Sequence, residues 1–242
     1  MKVIATIQAR MGSSRLPGKV IRLLDNKTVL ACVIERVEKS RCEAQILCIP
    51  DNDENDILEN IFKDTGVEVY RGSEENVLGR LYNSVEPYGE VIVVRITADN
   101  PLVDPKIIDY LIDQHIKNGS DVTTNYFSKT FPNGTIVSII NSSALKYMYE
   151  NMNKPEISEH IVYGFHELPS IFRVQDIVAP KVWNRPDIRF CLDSEEDWSA
   201  VLNILKQYPL IGGTPNTQEI IRIIDENIHI KNMNIELALK GY

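Results

Sequence analysis

The strongest constraint on the fold is an alternation along the first half of the chain. Short, almost wholly apolar runs are separated by stretches with helical spacing. Val3–Ile7, Ile46–Ile49, Val67–Tyr70 and Val91–Ile96 are four such runs, the last interrupted only by Arg95. Between them, Val29, Leu30, Val33, Ile34 and Val37 share one helical stripe, and Ile57, Leu58, Ile61 and Phe62 share another. Val77, Leu78, Leu81, Tyr82 and Val85 form a third, with Ser73 read as its cap. Asp104 is expected to cap a fourth helix, with Pro105 at its first position and Ile107, Ile108, Leu111, Ile112, His115 and Ile116 along one side. Strands that are apolar on both faces must be covered on both. The pattern therefore predicts an α/β fold, a mostly parallel sheet with helices on both faces. Ligands of such sheets lie at the carboxyl ends of the strands, which singles out 8–19, 51–55, 71–76 and 97–104.

The second half is less regular. Strands are expected at Val122–Asn125, Ile136–Ile140, Phe172–Gln175 and Ile188–Leu192, and helices at Ser143–Asn151 and Ile157–His166. Phe131-Pro132-Asn133-Gly134 carries turn chemistry. Ser194 is expected to open a further helix with Glu195, Glu196 and Asp197 in its first turn. No Gly/Ser linker divides the chain, so residues 1–242 read as one domain with an inserted lobe at about 125–180.

Charge narrows the function classes. With 34 acidic residues against 26 basic ones the net charge is −8, and no basic face for a nucleic-acid polymer is expected. No apolar run is long enough to span a membrane, and the N-terminal run is too short for a signal peptide, so a cytoplasmic protein is expected. Cys32, Cys42, Cys48 and Cys191 form no C-x-x-C pair and have no histidine at ligand spacing, which reads as buried free thiols. Yet Lys2, Arg10, Arg15, Lys19 and Arg22 crowd into residues 1–24, which hold no acid. That distribution suits one small anionic ligand rather than a polymer.

The segment from Gln8 to Lys19 is the most informative. It is not a P-loop: five residues separate Gly12 from Gly18 where that motif has four, and Val20 replaces the hydroxyl residue. It remains a Gly/Ser loop after a first strand, with Arg10, Arg15 and Lys19 able to neutralise a triphosphate. Asp99 falls just past an apolar strand, and Asp193 ends another expected one. Two carboxylates beside a cationic loop make a coherent site for Mg²⁺ on a triphosphate. Asp51-x-Asp53 resembles the metal-binding D-x-D of glycosyltransferases but reads as a helix cap. Arg71-Gly72-Ser73 could hold base or phosphate. His160, beside Glu159, could face an acceptor, while His115 on an apolar helix face reads as core.

Residues 7–19 resemble the signature loop of cytidylyltransferases that activate acidic sugars, the acylneuraminate and 3-deoxy-manno-octulosonate enzymes. They are most similar to the spore-coat polysaccharide biosynthesis branch, with its Q-A-R-x-G-S-x-R-L-P-G-K pattern. Arg71–Arg80 resembles that branch's R-G-S-x-x-x-V-L-x-R, and Arg95–Asp104 its R-x-T-x-D-x-P-L-x-D. The resemblance implies a nucleotide-diphospho-sugar-transferase-like fold that dimerises through the inserted lobe. It also implies Mg²⁺-dependent transfer of CMP from CTP to a sugar or other small acidic or phosphorylated acceptor, with pyrophosphate released. By the same resemblance Gln8, Ala9, Arg10, Gly12, Ser13, Arg15, Lys19 and Arg71 would bind the nucleotide, with Lys19, Arg15 and Asp99 catalytic. Asp99 and Asp193 would hold Mg²⁺, and Glu159, His160 and Arg189 would meet the acceptor. One departure is plain: where the branch carries an acidic pair after the Pro-x-Gly turn, this chain has Ile136 and Ser138. Two other readings stay open, a glycosyltransferase using Asp51-x-Asp53 and a catalytically silent nucleotide-binding homologue.

Overall fold

The computed structural model describes residues 1–152, 161–208 and 213–239. The first strand, β1 (Lys2–Gln8), leads into the loop and a short 3₁₀ turn at Lys19–Ile21. A small antiparallel pair, β2 (Leu23–Leu24) and β3 (Lys27–Thr28), follows. The next elements alternate as the sequence predicts: α1 (Val29–Val37), β4 (Ala44–Pro50), α2 (Asp56–Phe62), β5 (Glu68–Gly72), α3 (Val77–Val85), β6 (Val91–Thr97) and α4 (Pro105–Asn118). Then come β7 (Val122–Thr124), β8 (Ser138–Asn141), α5 (Ser142–Met152), α6 (Ile161–His166), β9 (Val174–Asp176), α7 (Glu195–Gln207), α8 (Thr217–Glu226), α9 (Ile228–Met233) and α10 (Ile235–Leu239).

Seven strands form the main sheet in the order β5-β4-β1-β6-β8-β7-β9. Pairing is parallel everywhere except on the two sides of β8, which alone runs against the rest. The segment read as an inserted lobe thus supplies β8 and β9 to the same sheet. Alternation along β1 splits the core in two. Val3, Ala5 and Ile7 pack with α1, α2 and α4 on one face, while Ile4 packs with α3, α5 and α6 on the other. A third cluster joins Leu16, Leu24, Phe190 and Leu192 to α7, α8 and α9. No helix among the described residues is long and apolar enough to cross a membrane.

Local chemistry sets the helix starts. The Thr28 hydroxyl accepts from the Ala31 N–H to begin α1. Asp104 caps two helices at once: Oδ1 accepts from Lys106 N–H at 2.9 Å and Oδ2 from Thr217 N–H at 2.7 Å, tying α8 to the start of α4. For α3 the cap is Asn76, whose side chain accepts from Gly79 N–H; Ser73 instead accepts from Asn76 N–H one turn earlier.

Ile188–Leu192 departs from its expectation. It is extended chain, not a strand of the sheet: it makes an isolated bridge to Asn133, itself outside the strands, and reaches the end of β6 through Leu192 N–H on the Asp99 carbonyl. Buried Ile188, Phe190 and Leu192 give it a strand's alternation, but their contacts belong to the third cluster. Gly134 makes this crossing possible: at φ 119° it leaves no room for a Cβ, which would sit 2.5 Å from the Phe190 ring.

Candidate active site

Parallel pairing places the carboxyl ends of β5, β4, β1 and β6 along one edge, with Gln8 opposite both Cys48 and Thr97. The loop after β1 closes on itself there. Gly18 N–H donates to Met11 carbonyl at 3.3 Å, and Gly18 takes a left-handed φ of 63° that leads into the 3₁₀ turn. Asn55 accepts from Met11 N–H at 2.9 Å, and the fully buried Leu16 anchors the loop to the third cluster. The result is an open cleft of about 630 Å³ lined by Gly12, Ser13, Ser14, Pro17 and Gly18 together with Met11 and Glu54. Small side chains keep backbone N–H groups accessible, as an anion cradle requires.

Beside this cleft three oxygens converge on one cation. Lys19 Nζ lies 3.1 Å from Asp99 Oδ2, 3.0 Å from Asp193 Oδ1 and 2.7 Å from the Leu192 carbonyl. Backbone pairing fixes this meeting, because Leu192 N–H donates to the Asp99 carbonyl at 2.8 Å. Thr97 Oγ1 donates to the other oxygen of Asp99 at 2.7 Å. Burial works against the Lys19 charge, but the two carboxylates outweigh it and raise its pKa above the ordinary value. Burial likewise disfavours the Asp193 carboxylate, yet Lys19 and Arg189 together hold its pKa below the usual range.

Asp193 is oriented by residues behind it. Arg189 donates to Asp193 Oδ2 at 2.8 Å and grips Asp197 through two hydrogen bonds of 2.8 and 2.9 Å. Asp197, fully buried, also accepts from Asp193 N–H at 3.0 Å and from Asn234 Nδ2 at 2.9 Å. Arg189 is therefore committed inward. Cys191, Asp193 and Asp197 lie close enough to share an ion, but Asp197 is already bound to Arg189 and burial keeps the Cys191 thiol protonated.

The expected residues thus fall into groups. Gly12 and Ser13 line the cleft, Lys19 meets Asp99 and Asp193 in the cluster after the loop, and Ala9 is buried in the core beneath it. The Arg15 side chain is 68% exposed and lies 3.8 Å from Asp193. Arg10 projects from the loop, exposed. Gln8 lies below, nearly buried, and its Nε2 has no hydrogen-bond partner. Arg71 is held by Asp51, Asp56 and Glu59 at 3.1, 2.7 and 2.8 Å. Asp51 is thereby part of an ion network and not a helix cap; Asn52 and Asn55 hold the cap positions of the 3₁₀ turn and of α2. His115 is core, bonded to Thr123 and Asn141 at 3.0 Å each. Glu159 and His160 lie outside the described residues. The sequence did not single out Asn55, Asn234 or the inward role of Asp197; a first-turn acid reads as a dipole partner, and nothing in the spacing marks the two asparagines.

Comparison with known proteins identifies the family. The family model described as cytidylyltransferase matches residues 4–233. The spore coat polysaccharide biosynthesis protein SpsF of Bacillus subtilis (strain 168) is 31% identical, over 93% of this chain and 95% of its own. A cytidylyltransferase structure from Leptospira borgpetersenii superposes with a TM-score of 0.88 at 30% identity, covering 95% of this chain and 96% of that one. CMP:2-keto-3-deoxy-manno-octonic acid synthetase, solved with CTP, shares the fold at a TM-score of 0.64 and 16% identity, over 86% and 99% of the two chains.

Proposed function

The chain belongs to the cytidylyltransferase family and is a CTP-dependent nucleotidyltransferase, and we propose that it joins CMP from CTP to a small anionic acceptor and releases pyrophosphate. The observation that carries this reading is the convergence of Asp99, Leu192 carbonyl and Asp193 on one cation beside a Gly/Ser loop. A donor set of two carboxylates and a carbonyl, all oxygen, fits Mg²⁺. Asp99 and Asp193 would hold the ion, which when bound polarises phosphate oxygens and neutralises their charge.

The chain's own residues supply the rest. Backbone N–H groups from Gly12 to Ser14 cradle the β- and γ-phosphates, while Arg15 and Arg10, both exposed, close over them. Lys19 leaves its carboxylates for the α/β bridging region, where its charge offsets that of the departing pyrophosphate. Arg189 and Asp197 keep Asp193 in a fixed orientation, so little reorganisation is required as charge shifts in the transition state. Arg71, at the carboxyl end of β5, would lie near the nucleotide. We also propose that the chain acts as one unit that pairs with a second copy, using exposed apolar side chains such as Tyr147, Tyr163 and Ile171 of the second half. Glu159 and His160 would face the acceptor.

The test is a thermal-shift panel of the four nucleoside triphosphates with and without Mg²⁺, followed by pyrophosphate release across sugar acids and sugar phosphates. A ligand at a hundred times its Kd should add about 2.7 kcal/mol of stability. Equal shifts for all four nucleotides would overturn the base assignment. CTP-specific stabilisation without turnover on any acceptor would favour a silent homologue, the reading that Ile136 and Ser138 motivate.

A further inference from the structure

On the α3 face of the sheet, one layer below the edge that carries Asp99, lies a second cationic feature that the reaction above does not use. Register and alternation place the side chains of Thr6, Arg95, Ser138 and Thr124 side by side across β1, β6, β8 and β7. Gln8 lies one step further along β1 on that same face, beside Cys48 of β4. On the same side, Arg80 of α3 is buried with its side chain against Gly72 of β5, and its field reaches Arg95. Arg10 adds a third positive field at Arg80.

Neither guanidinium has an ion-pair partner among the described residues, and only the more distant fields of Asp99 at Arg95 and of Glu74 at Arg80 offset their charge in part. Arg95 makes no side-chain hydrogen bond or ion pair among the described residues, and its Nε is buried without a partner. Arg80 is 5% exposed, donates only to the Ser73 and Glu74 carbonyls, and also leaves Nε orphaned. Gln8, 9% exposed, has an orphaned Nε2. The buried neighbours in the Arg95 row are hydroxyls: Thr6 and Thr124 donate to backbone carbonyls, and Thr124 and Ser138 share a bond of 3.1 Å. Burial lowers the pKa of both guanidiniums, that of Arg95 to about 10, and the fields of Asp99 and Glu74 make up only part of that desolvation. A folded chain that keeps three buried donors unpaired leaves an unsatisfied demand for acceptors at that place.

We propose that Arg80, Arg95 and the Gln8 amide form a binding site for a phosphate monoester dianion, the phosphate carried by the acceptor. Charge favours this ligand over a carboxylate: two guanidiniums match a group carrying close to two negative charges and several strong acceptor oxygens. A carboxylate would leave one buried cation uncompensated. Ser138 is the permissive residue. It stands opposite Arg95, and an acid at that position would neutralise the guanidinium from within. The assignment rests on the transferase reading only in calling the ligand an acceptor; the anion site itself does not depend on it.

The experiment titrates inorganic phosphate and, separately, acetate into the full chain, with CTP and Mg²⁺ present to fill the loop cleft, following thermal shift and calorimetric heat. Phosphate should stabilise the protein and acetate should have little effect. Ser138→Glu should weaken phosphate at least about 30-fold, the loss expected when charge-assisted bonds to a buried cation are pre-empted. That variant should keep the CTP-induced shift and lose no stability in the absence of phosphate. Arg95→Gln, closer in shape to the native residue, should weaken phosphate without lowering the melting temperature. Equal phosphate affinity in wild type, Ser138→Glu and Arg95→Gln would overturn the site, as would acetate binding as tightly as phosphate. Failure of the transferase reading is separately visible: CTP would give no specific shift, while phosphate binding would still respond to Ser138→Glu when titrated alone.

Discussion

Two ion networks lie near the loop that follows β1, and they differ in what water can reach. The inner one links Lys19, Asp99, Asp193, Arg189 and Asp197; the Lys19 side chain is 12% exposed and that of Asp197 fully buried. In the outer one Arg71 meets Asp51, Asp56 and Glu59, whose side chains are 71, 54 and 44% exposed. By contact distance the two look equally well made. Solvent separates them: exposed pairs are screened and contribute little, whereas breaking a buried pair leaves an uncompensated charge. The inner network therefore fixes the geometry of Asp99 and Asp193. The outer one can rearrange at little cost when a ligand arrives.

The contrast can be tested from its strongest consequence downward. Asp99→Ala or Lys19→Ala should reduce CTP turnover by at least ~10²-fold, measured as pyrophosphate release, by analogy with loss of one transition-state donor. Near-normal turnover in Asp99→Ala would remove the inner network from the reaction. Asp197→Ala should destabilise the fold by about 3–5 kcal/mol in denaturant unfolding, because Arg189 then stays buried with its main partner gone. Asp51→Ala, cutting an exposed contact of similar length, should cost under about 1 kcal/mol and less still in high salt. If the two substitutions cost the same, burial is not what distinguishes the networks.

A smaller effect comes from His115, which belongs to neither network. Burial lowers its pKa below the ordinary 6.5, so the folded state resists protonation while the unfolded chain accepts it. Stability should be level above that ordinary value and fall as the pH drops through it. His115→Gln should flatten this part of the melting profile between pH 5 and 7.5, a window set by the reference histidine pKa of about 6.5.

The parallel half of the sheet was legible because each of its strands is apolar on both faces and Asp104-Pro105 is a cap that means little else. The loop was legible because its cations stand in a stretch without acids. Legibility fails where tertiary context reuses a local signal. Ile188–Leu192 alternates like a strand, yet its partners are the helices of the third cluster. Asp197 has the position of a dipole-stabilising acid, yet its carboxylate turns inward to Arg189. Asn76, and not Ser73, caps α3, a choice between two good cap residues that only the backbone path decides. No spacing rule could connect Asn234 to Asp197, because the two residues come together only when α9 docks on α7.

The partners of Lys19 lie far apart along the chain, Asp99 at a separation of 80 residues and Asp193 at 174. On the ribosome, β1, β4, β5 and β6 emerge and can pair while the later residues are still unmade, since N-terminal structure forms first during synthesis. During that interval Lys19 has a single carboxylate, and the oxygen cluster is open on one side. At about 5–20 residues per second the gap between Asp99 and Asp193 lasts several seconds. The growing chain therefore has the Gly/Ser loop before it has the full oxygen cluster, which closes only when the segment held by Gly134 and Phe190 takes its place.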